Sequence, residues 1–580
     1  MKVFEELVQK KLISLSVVLL IGFFYFQKLH EESRWNKQTS IRTDALGYYV
    51  YLPSVFIYSD LKYDWTHQLN AKYPNFYFAS YTEGENGARY QKYPIGTSIM
   101  NIPFFLIAHQ LALNSDQEAD GYSPIYHKWI SYGTVFYAVL ALIMIAQVIG
   151  LFFSDLIAAI TVLLIGLGTN YYYFAIYEPG LSHIPGLFVL GLYFYHCIKW
   201  FREFKFLNLF ILTISLGIAT VIRPTNILFG GFFILMLFQR EIGFKKVIQV
   251  FKTYKYKWIM LLLSAILIPF LQISLWKYNS GNYIQYSYGE EGFFFTSPHI
   301  IYGLFSARNG LFLYSLPFFL SIYALFIRKK EIPTLFIFIN LFVFYYVIYS
   351  WWCWWYGGSY GSRAAIESYV LLSILLATAI DFIWKQLIPA ITLIFIISLF
   401  QISFTTTLSF SDMRRTNLVH YDAMTWEAYW YLWTKDGIGS DYFELWEHPD
   451  YHSSLKYGSE YIGFLELNTR SKYSEGVMNN YTNIPGDTIF VKFEFWGEDA
   501  FFGDPVIFLE VVCEDMGYYQ KIPIKPEVKV MEWNSGIQSL KFDNQWINHT
   551  VHFRLIYEGK RRIFYRPIDV FTDRPLEQIQ

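Results

Sequence analysis

Between residues 12 and 407 the chain returns again and again to apolar runs of about the length that a bilayer requires, and these runs carry almost no charge. They are apolar on every face, so the core of a small soluble domain could not absorb them. With 54% apolar residues, the chain reads as a polytopic α-helical membrane protein. The runs fall at 12–29, 95–113, 129–152, 155–176, 183–200, 206–222, 226–238, 258–276, 300–327, 334–350, 363–384 and 386–407. The first follows a lysine-bearing segment and lacks a small-residue cleavage site, which predicts a retained signal anchor with its N-terminus in the cytoplasm.

The run at 95–113 holds Pro103 and His109, and it decides the topology. If it does not cross, three basic clusters fall inside: Lys199, Arg202 and Lys205; Arg240, Lys245, Lys246, Lys252, Lys255 and Lys257; and Arg328, Lys329 and Lys330. If it crosses, all three flip outward. The expectation is therefore about eleven spans, with 95–113 re-entrant or interfacial. Every unusual polar cluster then lands outside. These are Asp44; Lys92-Tyr-Pro-Ile-Gly96; Tyr177-Glu-Pro-Gly-Leu-Ser-His183; Arg223-Pro-Thr-Asn226; Gly289-Glu-Glu-Gly292; Ser306-Ala-Arg-Asn-Gly310; and the Trp-rich stretch that ends Gly-Ser-Arg363.

After residue 404 charged residues and short alternating stretches replace the apolar runs. Residues 489–495 and 549–557 alternate with the period of half-buried strands. The expected organisation is a membrane domain over 1–410, a Trp- and Tyr-rich interfacial connector over 411–440, and an extracytoplasmic, sandwich-like all-β domain over 441–580. A net charge of −1, with no basic face, excludes nucleic acid as a partner. Three cysteines without CxxC spacing indicate neither a disulfide framework nor a zinc site. His448 and His452 have the spacing of a zinc pair, but Pro449 breaks the helix that would present them and the intervening glutamate is missing.

Among the outer residues Asp44 is a lone carboxylate set among tyrosines, in the stretch Thr43-Asp-Ala-Leu-Gly-Tyr-Tyr49. Glu178 and His183 bracket a Pro-Gly turn that leads into a span, where a buried charge needs a reason to be tolerated; their alternative reading is as interfacial anchors. Arg223, Arg308 and Arg363 each flank an outer membrane boundary. Guanidinium groups bind phosphate bidentately, although arginine also snorkels at interfaces. The tryptophans at 351–355 suit an aromatic belt or a sugar-stacking face, the belt being favoured. The Glu290-Glu291 pair suits a divalent cation or simply water, with water favoured.

The Asp44 stretch soon after the first span, Lys92-Tyr-Pro-Ile-Gly96 before an apolar segment, and the acidic loop at Glu178 resemble the GT-C superfamily of integral-membrane glycosyltransferases. The resemblance runs over about residues 1–410 and is nearest to bacterial relatives of protein O-mannosyltransferases and of the lipid A aminoarabinose transferase. It implies transfer of a sugar from a polyprenyl-phosphate donor to a protein, glycan or lipid acceptor at the outer face of the cell (inner) membrane. Position by position it implies Asp44 as the catalytic aspartate and Lys92 as the lysine that meets the carrier phosphate. Glu178 takes the second acidic position, holding the acceptor or an ion. Tyr93 and His183 join Lys92 and the three arginines on the donor side. This chain has Lys-Tyr-Pro where Lys-Pro-Pro is common, and Glu178 where Asp is common. The alternative class is a multi-pass transporter or lipid flippase, which tends to show mid-membrane polar residues and two repeated halves; here the ionisable residues gather at one face and no repeat is evident.

Overall fold

A computed structural model of the chain describes residues 12–434 apart from 74–80, 84–86, 239–243, 255, 289–290, 328–331, 417 and 422–423, and beyond 434 the β-strands with a few flanking residues. The chain divides into two compact units, Met1–Asp422 and Ala423–Gln580.

The first unit is helical. Among the described residues, seven helices are long and apolar enough to cross a membrane, and five shorter apolar helices accompany them. The helix Leu12–Glu32 buries Ser14, Val18, Ile21, Tyr25 and Leu29, a stripe at spacings of three and four. It exposes Leu19, Leu20 and Phe23 on the other face. The buried stripe packs on Pro124–Ile149 and Asp155–Gly168. At the start of Leu12–Glu32 the Asp155 carboxylate accepts from Ile13 N at 2.8 Å, a favourable place for an anion. At the opposite end of the same helix the Arg34 guanidinium donates to the Tyr177 carbonyl, and His30 meets the Tyr132 hydroxyl at 2.9 Å.

Residues 95–113 form a continuous helix, Gly96–Leu113, of a length and hydropathy that admit crossing. Its neighbours fix its direction. The Tyr137 hydroxyl donates to Met100 O at 2.6 Å and His109 meets the Tyr126 hydroxyl at 2.6 Å, so this helix runs antiparallel along the first half of Pro124–Ile149.

Several expected runs are not single helices. The run at 300–327 is a short helix Ile300–Phe305, then loops and turns to Ser315, then a 3-10 turn, the helix Phe319–Tyr323 and a second 3-10 turn. The physical reason is the Ser306-to-Gly310 segment: a Cβ on Gly310 would sit 2.4 Å from Ser306 O, so the chain folds back on itself there instead of continuing as a helix. The run at 155–176 likewise divides into Asp155–Gly168 and Tyr171–Ile176 around Thr169, whose hydroxyl donates locally to Ile165 O, and Asn170, whose amide donates to the distant Tyr360 O. Residues 226–238 are a 3-10 turn followed by Gly230–Leu237, and the last apolar helix, Pro389–Arg415, runs past its expected end.

The second unit carries the helix Trp426–Thr434 and antiparallel strands. The alternating segment 489–495 lies in the strand Thr488–Gly497, and the described part of 549–557 forms the strand Thr550–Tyr557. Thr488–Gly497 pairs with Trp533–Lys541, Ile563–Tyr565 and Asp569–Thr572, while Thr550–Tyr557 sits between Val477–Asn480 and Ile507–Cys513. Leu509 lies opposite Leu555 and Val511 opposite Phe553, all fully buried, which gives this sheet one apolar face. His448 and His452 lie outside the described residues.

Candidate functional site

The site begins at Thr43, a β-branched residue held at φ 48° and ψ −124°, where side chains of its kind are strained. This kink launches the short helix Asp44–Tyr49 directly from Asp44. Gly47 sits one turn on, and a Cβ there would lie 2.3 Å from the Tyr93 ring. Without that Cβ, Tyr93 lies against the helix with its ring 4.5 Å from that of Tyr48, and its hydroxyl donates to Asp44 Oδ1 at 2.7 Å. Tyr51 donates to the Tyr93 carbonyl at 2.7 Å, fixing the ring from behind. The tyrosines of the sequence motif are thus the frame that aims Tyr93 at the carboxylate.

Lys92 and Tyr93 are delivered by a hairpin that the sequence reading did not anticipate, Tyr81–Glu83 paired with Arg89–Gln91. Gly96 then lets the following turn touch backbone to backbone on the end of Phe206–Ile222, since a Cβ would meet Ile222 N at 2.3 Å. Lys92 forms an ion pair with Glu291 and lies 5.2 Å above the Tyr288 ring. Glu291 therefore carries a defined partner while its side chain stays 26% exposed; Glu290 lies outside the described residues. Among the described residues no group of three or more His, Cys, Asp or Glu side chains gathers as metal ligands.

On the far side of Asp44 the Arg363 guanidinium reaches Oδ2 at 3.0 Å, and the Asp44 side chain is left 28% exposed. The Arg363 Nε is buried without a hydrogen-bond partner. Burial alone would push the Asp44 carboxyl up, but Arg363, the Tyr93 hydroxyl and Lys92 together hold it below its ordinary value. Burial and Asp44 push the Tyr93 hydroxyl well above its own ordinary value, so it stays a proton donor to the carboxylate.

A second ion cluster adjoins the first. His183 Nδ1 meets both carboxylate oxygens of Glu367 at 3.1 and 3.2 Å, and Arg223 Nε lies 3.3 Å from Glu367 Oε1. Glu367 is fully buried. The sequence reading singled out His183 and Arg223 but missed Glu367, whose one signal was that it is, with Asp381, one of two carboxylates inside the apolar run 363–384. Arg223 also lies 5.9 Å over Tyr356, a residue at φ 58° in the glycine-rich loop that leads to Arg363.

The structure therefore brings together Asp44, Lys92, Tyr93, His183, Arg223 and Arg363. Glu178 and Arg308 take other positions. Glu178 accepts from the Tyr173 hydroxyl at 3.3 Å, on a turn whose Gly180 approaches Ala45. Arg308 lies 5.0 Å over Trp355, and the adjacent Asn309 holds the loop into Arg363 by donating to Trp355 O and accepting from Gly361 N, both at 3.1 Å. Of the tryptophans, Trp351 packs on Phe293 and Tyr288, the latter also facing Lys92.

No protein-family model matches the chain, and no curated protein sequence matches it. Among solved structures, the oligosaccharyltransferase of Archaeoglobus fulgidus in its apo form superposes with a TM-score of 0.39 at 14% identity, over 69% of this chain and 56% of that one. The chain thus spans a little over half the length of that enzyme. A likeness so distant carries no argument about activity, which rests on the chemistry of the site itself.

Proposed function

We propose that the protein is a membrane glycosyltransferase that moves a sugar from a polyprenyl-phosphate donor to a protein, glycan or lipid acceptor, with Asp44 as general base. The observation that carries this reading is the bracketing of one partly exposed carboxylate by Tyr93 and Arg363, beside two further cations, Lys92 and Arg223. A base and an anion site are what an inverting transfer needs together. The acceptor oxygen or nitrogen attacks the anomeric carbon as its proton passes to Asp44. The bond from that carbon to the phosphate oxygen breaks, and its electron pair leaves on the carrier phosphate. Arg363, Arg223 and Lys92 stabilise that developing charge.

Arg363 links the two halves of the reaction. In the structure its guanidinium holds Asp44 ionised but weakens it as a proton acceptor. A donor phosphate that draws Arg363 toward itself returns basicity to Asp44, so the base strengthens as the donor arrives. Glu178, on the turn beside Ala45, is suited to hold the acceptor.

The outer-face location in the cell membrane, the eleven-span count and a sandwich-like extracytoplasmic β domain belong to the same proposal. What supports the non-crossing reading of 95–113 is the Ile13 to Asp155 bond, which sets those residues at one level. One outward and one returning helix between them, Leu12–Glu32 and Pro124–Ile149, leave no room for a third traverse.

The test is native mass spectrometry of the detergent-purified protein with added polyprenyl phosphate, combined with a transfer assay using polyprenyl-phosphate sugars. Wild type is expected to retain the carrier in preference to ordinary phospholipid, with retention weakened by Arg363→Ala. Asp44→Asn is expected to retain the carrier while losing about a hundredfold or more in transfer rate. Full transfer activity in a stably inserted Asp44→Asn protein would remove Asp44 as the base.

A further inference from the structure

Glu367 is an ionisable side chain with no solvent contact, at the start of an apolar helix. A carboxylate in that position is costly unless it is paired, and a well-packed apolar residue would serve stability as well or better. Its partners are two residues of the site, His183 and Arg223. A carboxylate only accepts, so the His183 Nδ1 that faces it carries the proton. The ion pair engages Arg223 through Nε, and among the described residues the two terminal nitrogens of the guanidinium remain for another oxyanion.

The chain connectivity adds a second argument. Arg363 and Glu367 stand at the first and fifth positions of one 3-10 turn, Arg363–Ser368. One end of that turn grips Asp44 and the other grips Arg223. A single rigid turn thus sets the spacing between the carboxylate proposed as base and the arginine proposed as anion binder.

We infer that Glu367 is a positioning residue for the donor: by fixing Arg223 it presents the terminal guanidinium nitrogens to the phosphate of a polyprenyl-phosphate ligand. This rests on the carrier reading above. Glu367 touches neither donor nor acceptor and acts through Arg223, with His183 as its second tether.

The experiment uses the full-length protein in detergent, with polyprenyl phosphate as probe and phosphatidylglycerol as the ordinary-lipid control, and reads carrier retention and thermal stability together. Glu367→Gln is expected to weaken carrier retention roughly tenfold or more, as loss of a partner that orients a binding side chain does elsewhere. Arg223→Gln is expected to weaken it similarly. The double variant Arg223→Gln/Glu367→Gln is expected to be no weaker than Arg223→Gln alone, since Glu367 has nothing left to position. The double variant removes the whole buried pair, so it remains informative where Glu367→Gln alone fails to fold. Lowered thermal stability with undiminished retention by Glu367→Gln, or a double variant that is weaker by the product of the single losses, overturns the assignment while leaving the carrier reading intact. Failure of the wild type to retain polyprenyl phosphate above phosphatidylglycerol overturns both.

Discussion

Asp44 carries two interactions that pull its chemistry in one direction and its proposed task in another. Tyr93 and Arg363 both favour the ionised carboxylate, which keeps it ready to accept a proton, yet each makes that proton less welcome. The sign of the pH dependence follows. A carboxyl lowered in the folded protein gives an interaction fully present above the ordinary value of about 3.9 and lost as pH falls through the lowered one. The acid limb of kcat/KM should therefore lie below the ordinary carboxylate range. Tyr93→Phe deletes one of the groups that lower Asp44 while leaving the ring against Gly47, so the limb is expected to move to higher pH with the alkaline side unchanged. A limb that stays in place would mean that Asp44 does not govern it. Asp44, Lys92 and Tyr93 were legible in the sequence because each stands as a polar break between apolar runs. Glu367 was not, because it lies within such a run and its partners come from residues 183 and 223, which no local pattern connects to it.

At the scale of elements, the long apolar helices were readable from composition, and two strands of the second unit, Thr488–Gly497 and Thr550–Tyr557, from their alternation. Interruptions were harder to read. A break such as that between Gly168 and Tyr171 depends on a side chain bonding to nearby backbone, and the hairpin that delivers Lys92 is held by strand pairing and by distant partners, Asp64 on Arg89 and Ser287 on Thr82 and Lys92. Close backbone approaches belong to the same class, and they set the position of the site. Gly96 meets the backbone of Val221 and Ile222, atoms that cannot rotate away. Gly217, in the same helix Phe206–Ile222, has only ordinary contacts at 3.9 and 4.0 Å from the position of an added Cβ. Gly96→Ala should then destabilise the protein by about 1–3 kcal/mol, as overpacking does, and weaken carrier retention because Lys92 and Tyr93 shift with the turn. Gly217→Ala should be neutral or stabilising by up to about 1 kcal/mol, because alanine is the better helix former. Thermal unfolding of the two variants side by side checks this. Equal destabilisation would show that the Gly96 turn can relax.

Across the whole first unit the question is how many times the chain crosses between Leu12 and Asp155, because that parity places Asp44, the basic clusters and every later loop. The basic residues vote for two crossings, and so does the Ile13 to Asp155 bond, an argument independent of charge. Gly96–Leu113 nevertheless has the length and hydropathy of a span, so length alone would have counted three. Lys62 and Asp116 are exposed on either side of that helix, and Gln249 is exposed on the basic helix Phe244–Tyr254. Cysteines placed singly at these three positions, in a background lacking the native thiols, should sort by access to a membrane-impermeant maleimide in intact cells. Lys62→Cys and Asp116→Cys are expected to label together from outside, and Gln249→Cys only after permeabilisation. Labelling of Lys62→Cys but not Asp116→Cys would make Gly96–Leu113 a true crossing. It would then set Asp155 and Ile13 on opposite sides of the membrane, against their hydrogen bond, and would turn the basic helix outward against the charge rule.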